Sequence, residues 1–406
     1  MSGLDERLKS LTPEKRRLLE LRLRREAGDE AGAGSGGAAR QGDGAGGDGT
    51  DGGPPAGMTF SLFFFSADGS SAAPGKYRLL LDCARFADRE GFAAVWTPER
   101  HFTDFGGLYP SPAVLGAALA AVTERTEIRA GSVVLPLHHP VRVAEEWAVV
   151  DNLSGGRVGI SIASGWHPAD FVLRPENWEE RRDVMYRDLA TLRRLWAGET
   201  VQMAGGGGHA AEVRLLPRPV RPELPVWVTS SGTAATWERA GEAGANVLAQ
   251  MGSQPLPDLE RKVQLYRAAR QRAGHDPAPG TVTLMLHTYL DEDPEAARAA
   301  ARAPLGEYLR THARQRDSFL DLPGITAADH AQLIPLAVEH YLSAASLIGS
   351  PAGCSALLGR LAAIGVDEIA CLIDFGIDME RVLAGLQRLA ELRRRHTVEA
   401  SPRAEA

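Results

Sequence analysis

The stretch Ala93–Phe102, AAVWTPERHF, decides the fold, because a short apolar run is followed at once by an acid and an imidazole, Glu99 and His101. Such a run is typical of a buried strand, and the polar residues then stand at its carboxyl end. Two further junctions of this kind follow, at Ala130–Arg142 and Val158–His167. Three polar strand ends that face one mouth predict an active site.

Outward from these junctions, strands and helices alternate from Met58 onward, and the pattern predicts an α/β protein, a (β/α)8 TIM barrel. The expected strands are 59–65, 93–97, 127–134, 157–163, 226–229, 245–248, 281–290 and 368–373. The expected helices are 76–90, 112–122, 141–153, 178–196, 234–242, 258–273 and 379–395. A mostly helical stretch, 294–348, is longer than a barrel needs and predicts a helical insertion before the last strand.

Composition divides the chain into four parts. Residues 1–26 predict a short helical segment, a possible docking or linker element, with Thr12 as N-cap and Pro13 in the first turn. A solvated, frayed terminus is an equal alternative for them. Residues 27–57, rich in Gly, Ala and Asp, predict a disordered linker. The barrel domain is expected over 58–396 and a disordered tail over 397–406.

Charge and composition exclude several classes of protein. The 406 residues are 44% hydrophobic and 24% charged, which suits one large soluble enzyme domain. The net charge of −7, without a long basic cluster, argues against nucleic acid as a partner. No apolar stretch is long enough to span a membrane, and the amino terminus has no secretory signal. Three widely spaced cysteines, Cys83, Cys354 and Cys371, predict reduced core thiols in a cytoplasmic protein.

Two patterns that invite a ligand are better explained otherwise. His138, His139 and His167 fit no standard zinc or iron spacing, so no metal is expected. The run Gly205–Gly208 lacks the Lys-Ser/Thr of a phosphate-binding loop and predicts a surface turn.

An anion site is expected where strand 226–229 meets helix 234–242. Small hydroxyl residues and a glycine there, Ser230, Ser231, Gly232 and Thr233, present backbone N–H groups and the positive helix end to an anion. An ordinary helix cap is the alternative. Gly131 predicts a strand bulge near the end of the third strand.

The three junctions and the segment Leu153–Arg157 resemble the bacterial-luciferase-like flavin monooxygenases. Within these monooxygenases, the chain looks like the subgroup found in polyketide and nonribosomal-peptide assembly lines, of the type known from mupirocin biosynthesis. This narrower resemblance rests on Phe60–Phe65, Trp96–Phe102, Phe105–Pro110 and Asp367–Gly376. It runs from about Met58 to about Arg395, and the first segment is similar to the short prelude segments of nonribosomal-peptide synthetases.

The resemblance implies reduced FMN (FMNH2) supplied by a separate flavin reductase, so that NAD(P)H acts only through that reductase. It also implies O2 activation as a flavin C4a-(hydro)peroxide and insertion of one oxygen atom into an organic acceptor. That acceptor is expected to be a free small molecule or a carrier-protein-bound intermediate of natural-product biosynthesis. Whether the oxygen atom goes to nitrogen, to carbon or into a carbon–carbon bond stays open. A carrier protein and a homodimer are further expected partners.

The resemblance also implies roles for individual residues. His101 matches the catalytic histidine of luciferase, with Glu99 either orienting it or capping a neighbouring loop. The flavin ring would lie over Gly131 and Ser132, where family barrels carry a bulge and often a non-prolyl cis peptide. Ser164 stands where luciferase itself has a phosphate-contacting arginine. The expected cofactor contacts are Gly131, Ser132, His139, Ser164, Gly165, Ser230, Ser231, Gly232 and Thr233, and the expected substrate pocket is Phe65, Trp166, His167 and Asp374.

Two alternatives remain. The same barrel serves deazaflavin (F420)-dependent oxidoreductases, which transfer hydride. A catalytically silent barrel that acts as an assembly-line interaction module would account for the terminal helix and linker. The presence of Glu99, His101 and Ser231 argues against this alternative.

Overall fold

The computed structural model describes residues 57–65, 74–230, 232–252, 254–315 and 327–397. The predicted segment 1–26, all but the last residue of the predicted linker and all but the first residue of the predicted tail lie outside these ranges. Ser231, one of the expected phosphate ligands, also lies outside them.

Eight parallel strands close into a barrel, as the alternation predicted. Going round the barrel, β1 is followed by β2, β3, β4, β7, β8, β9 and β11, and β11 returns to β1 with Thr59 beside Glu368. The strands of the chain are β1 (Thr59–Phe63), β2 (Ala94–Thr97), β3 (Glu127–Val134), β4 (Val158–Ala163), β5 (Val201–Ala204), β6 (Ala210–Val213), β7 (Val226–Ser230), β8 (Asn246–Gln250), β9 (Val282–Leu290), β10 (Leu347–Gly349) and β11 (Glu368–Leu372).

Helices surround the barrel, and their bounds lie within three residues of the predicted ones wherever a single helix was predicted. They are α1 (Arg78–Glu90), α2 (Pro112–Ala120), α3 (Pro140–Ser154), α4 (Arg181–Ala197), α5 (Ala234–Glu242), α6 (Leu256–Arg272), α7 (Pro294–Gln315), α8 (Ala327–Ala344), α9 (Pro351–Ala363) and α10 (Met379–His396). Local signals explain these limits. Ser111 caps α2 by accepting from the backbone N–H of Val114, with proline next in line, and Gly155 ends α3 in the left-handed conformation at φ 69°.

The region before the last strand differs from the prediction. Leu347–Gly349 is not helical but forms β10, which pairs with β9 beside Thr288. The helix Pro351–Ala363 that follows was not predicted, nor was the hairpin of β5 and β6. Strands of three or four residues are too short to reveal a period of two. The expected turn at Gly205–Gly208 is confirmed, because Gly206–Gly208 connects β5 to β6.

The amino-terminal half of the barrel is filled by a buried ionic cluster. Arg129 donates to both carboxylate oxygens of Glu368, at 3.0 and 2.8 Å, and lies 2.7 Å from Glu127. Its guanidinium carbon is 4.9 Å from the centre of the Trp96 ring and 4.4 Å from that of Trp227. Although burial disfavours the charged forms, Glu368 and Glu127 raise the pKa of Arg129, and Arg129 and Arg221 lower the pKa of Glu127. The cluster closes the barrel below the active-site mouth.

The three cysteines are buried and free, as expected of core thiols. Burial raises the pKa of Cys354 and Cys371 to about 12, so both thiols are protonated at neutral pH. Among the described residues, no helix is both long and apolar enough to cross a bilayer.

Candidate active site

A cavity opens at the carboxyl ends of the barrel strands, where the sequence placed the active site. The empty space within its lining, including solvent at the open mouth, is about 790 Å³. Seven strands or the loops after them contribute to its wall, which is formed by Phe63, Phe65, Pro98, Glu99, Arg100, Gly131, Ser132, Val134, Ala163, Gly165, Trp166, Thr229, Ser230, Leu248, Ala249, Gln250, Met285 and His312.

Glu99 is the centre of a buried hydrogen-bond network. Its Oε1 is 2.7 Å from Nε2 of His101 and 2.6 Å from Nε2 of His138, and its Oε2 accepts from the backbone N–H of Val134 at 2.7 Å. A carboxylate only accepts hydrogen bonds, so both imidazoles carry their proton on Nε2. Glu99 therefore both orients His101 and fixes the loop after β3, the two roles that the sequence could not separate.

The network also sets the charge of its members. Although burial disfavours the ionised carboxylate, hydrogen bonds from His101 and His138 hold the pKa of Glu99 below its usual value. Burial likewise disfavours charge on His138, but Glu99 raises the pKa of that imidazole. The ionised Glu99 and the readily protonated His138 can therefore hold one proton between them beside the cavity.

Arg100, for which the sequence predicted no role, takes the place beside the cavity that was expected for His101. Arg100 lines the cavity, whereas His101 is absent from the wall formed by the described residues and its ring is turned toward Glu99. The side chain of His101 is 11% exposed, so it reaches the site through Glu99 rather than across open space. Sequence reasoning passed over Arg100, although the signal was present in the same motif.

The end of β3 forms the floor of the cavity. The Gly131–Ser132 peptide is cis and the register with β4 shifts at this point, which confirms the expected bulge. A Cβ on Gly131 would lie 2.6 Å from a ring carbon of Phe63, so only glycine fits here. The hydroxyls of Ser132 and Ser161 both bond to Thr229 on β7. Small polar side chains thus line the cavity here, with the rings of Phe63 and Trp96 packed against Gly131.

Gly232 and Thr233, two of the expected phosphate contacts, lie between β7 and α5. Gly232 adopts φ 135° and donates its N–H to the hydroxyl of Ser230 at 3.3 Å, and Thr233 precedes the first turn of α5. Lys262 lies beside this turn and is only 4% exposed. Its Nζ would be 3.9 Å from a Cβ placed on Gly232 and donates to Gln254 at 3.0 Å.

Lys262 was missed from the sequence because it lies in α6, far along the chain from the turn. One signal could have found it: the chain contains only four lysines among many arginines, and this one stands in the middle of a helix.

Several expected site residues lie elsewhere. His139 is exposed and caps α3, with its ring accepting from the N–H of Val141, so it does not flank the cavity. Asp374 accepts from the N–H of Phe65 and the hydroxyl of Tyr109, behind the wall. Ser164 and His167 also fall outside the wall, and His167 pairs with Asp170 at 3.3 Å. Strand-end position alone does not decide which way a loop residue points.

Phe65, Gly165, Trp166 and Ser230 do line the cavity as expected. Within the described ranges, no group of His, Cys, Asp or Glu is arranged to hold a metal ion.

Comparison with known proteins gives three kinds of match. Residues 58–368 match the family described as luciferase-like monooxygenase. The oxygenase component of a flavin-dependent trigonelline monooxygenase from Acinetobacter baylyi is 26% identical over 344 residues, covering 82% of this chain and 93% of the relative.

Two solved structures share the fold. One is the oxygenating constituent of 3,6-diketocamphane monooxygenase from Pseudomonas putida in complex with FMN, with a TM-score of 0.68, 19% identity and coverage of 85% of this chain and 100% of that one. The other is an F420-dependent secondary alcohol dehydrogenase, with a TM-score of 0.64, 17% identity and coverage of 84% and 100%.

Proposed function

Because the chain belongs to the luciferase-like monooxygenase family, we propose that it is a two-component enzyme that uses reduced FMN, delivered by a separate flavin reductase, and molecular oxygen. This proposal is carried by one cavity, which Gly131 and Ser132 line at the end of β3 and Ser230 lines at the end of β7, where the anion-type turn before α5 begins. The flavin-dependent relative supports the flavin and the reductase partner.

The described residues fit both the ring and the phosphate of FMN. The floor has glycine, serine and threonine side chains rather than bulky ones, which leaves room for a planar ring. At the turn, the N–H groups that begin α5 and the buried ammonium of Lys262 suit a phosphate dianion. Gly131, Ser132 and Gly165 would face the ring, and Ser230, Ser231, Gly232, Thr233 and Lys262 would hold the phosphate.

The bound flavin supplies the electrons with which O2 is activated, and one oxygen atom goes to the acceptor. The chain's own contribution is position and proton control. Glu99 orients His101 and His138 and holds a proton with His138 beside the cavity, while Phe65, Trp166 and His312 line the cavity with aromatic surface.

Anaerobic titration tests the cofactor. Reduced FMN is expected to bind more tightly than reduced deazaflavin, and photoreduced FMN is expected to support oxygen consumption by the full chain. Preference for deazaflavin without oxygen consumption would favour the F420 alternative. No binding of either cofactor would favour the silent interaction module.

Lys262→Met is expected to weaken reduced-FMN binding by roughly 10–100-fold, because one charge-assisted hydrogen bond to phosphate is lost. Binding of riboflavin, which lacks the phosphate, should change little. Fluorescence titration of both ligands measures the effect, with Lys76→Met, at a partly exposed position before α1, as the charge-matched control. A Lys262→Met variant that binds FMN as the parent does would place the phosphate elsewhere.

We further propose that the acceptor is an intermediate of natural-product assembly, presented on a carrier protein, and that residues 1–57 serve delivery. A tether rich in glycine raises the effective concentration of a tethered partner without a tight interface. A homodimer remains a prediction.

Removal of residues 1–57 is expected to preserve folding and FMN binding, because every barrel strand lies downstream. Turnover of a carrier-bound acceptor should fall more than turnover of its small soluble mimic, when both are measured by mass spectrometry. Equal turnover of both acceptors by the shortened and full chains would exclude the delivery role.

A further inference from the structure

The cavity contains a buried cation that neither the proton network nor the anion-type turn uses. Arg100 follows β2, lines the cavity and is 7% exposed. Its guanidinium carbon lies 5.0 Å from the ring centre of Phe65, 5.3 Å from that of Phe105 and 5.5 Å from that of Trp166. Three aromatic rings therefore surround a permanent charge at the mouth of the site.

The loop after β2 holds this side chain in place. Gly106, at φ 79°, packs so closely that a Cβ there would lie 2.8 Å from Cγ of Arg100. Burial lowers the pKa of Arg100, while Tyr308 and Asp170 raise it. A guanidinium stays charged in proteins, so an anion that enters the cavity is attracted to it.

Arg100 and the anion-type turn follow strands that are not neighbours. In the ring of eight strands, β2 is three places from β7, the strand that the turn follows, with β3 and β4 between them. A flavin with its phosphate at the turn would leave the wall near Arg100 to the second ligand of the reaction.

Resting on the function proposed above, we propose that Arg100 binds a carboxylate of the acceptor and so selects acidic, planar or unsaturated substrates. The planar fork of a guanidinium matches a carboxylate in two parallel hydrogen bonds. The surrounding rings of Phe65, Phe105 and Trp166 provide an apolar surface for the body of such a molecule.

The probes are benzoate and benzamide, which have the same shape but differ in charge. Calorimetric titration of the full chain, without flavin, is expected to give tighter binding of benzoate than of benzamide. Arg100→Gln should weaken benzoate binding by roughly 10–100-fold and leave benzamide binding unchanged, because only the charged hydrogen bonds are lost. Arg100→Lys should be intermediate. Arg142→Gln, an exposed position on α3, is the matched control.

Three results would overturn the proposal: equal or undetectable binding of acid and amide, equal loss of both in Arg100→Gln, or loss of reduced-FMN binding in that variant. Loss of reduced-FMN binding would show that Arg100 binds the cofactor rather than the acceptor. The proposed function has its own test and fails if the parent chain binds no FMN. The titration of benzoate and benzamide contains no flavin, so its result does not depend on that test.

Discussion

Glu99→Gln is expected to lower product formation by about 10²–10⁴-fold while reduced FMN still binds, because the amide carries no charge and its NH2 group cannot accept in place of either carboxylate oxygen, the one that faces both imidazoles or the one that faces Val134. The change keeps the shape of the side chain and removes its charge. Product per reduced FMN, followed by mass spectrometry in single-turnover reactions, and released hydrogen peroxide measure the effect. Glu146→Gln, in an exposed ion pair with Arg142, is the control. Full product yield in Glu99→Gln would remove the network from the mechanism.

The same variant separates an electrostatic role from a loss of fold, through the pH dependence of stability. The lowered pKa of Glu99 stabilises the fold above pH 4.5, the usual value, and this contribution is lost as the pH falls through the folded-state pKa. The raised pKa of His138 stabilises it below pH 6.5, and this contribution is lost as the pH rises through the folded-state pKa. The stability difference between parent and variant should therefore be largest between these values. A difference that is independent of pH would contradict the pairing.

Arg129→Leu is expected to lower the free energy of unfolding by about 3–5 kcal/mol, because it leaves the buried Glu368 without its cation, whereas Glu127 keeps its ion pair with Arg221. Glu368 is 2% exposed, so water cannot replace the lost hydrogen bonds. Urea denaturation followed by tryptophan fluorescence measures the change.

Arg142→Leu provides the matched control. This arginine pairs with Glu146 at 2.8 Å on the surface of α3, and its loss should cost no more than about 1 kcal/mol. Arg129→Lys should fall between the two leucine variants, and it keeps the test open if Arg129→Leu does not fold. Equal stabilities for both leucine variants would show that the buried cluster contributes nothing beyond a surface pair.

Much of the barrel follows from local patterns. The apolar run before Glu99, the glycine that ends α3 and the alternation of strand and helix fix the order of the elements, because each depends on neighbouring residues alone. The bulge at Gly131 and the turn at Gly205–Gly208 were likewise visible in sequence. The errors fall at β10, at the helix α9 that follows it and at the β5–β6 hairpin. The strands of three and four residues depend on partners rather than on their own pattern.

The sequence by itself determined that this chain is a parallel barrel with its polar strand ends at one mouth. Only the tertiary structure decided which of those residues meet. His138 reaches Glu99 across 39 positions, Lys262 joins the turn at Gly232 from another helix, and Arg129 pairs with Glu368 across 239. It also decided that Arg100 rather than His101 faces the cavity. Past the last residue of a strand, the alternation of side chains ends, and packing against distant elements sets the direction of each one.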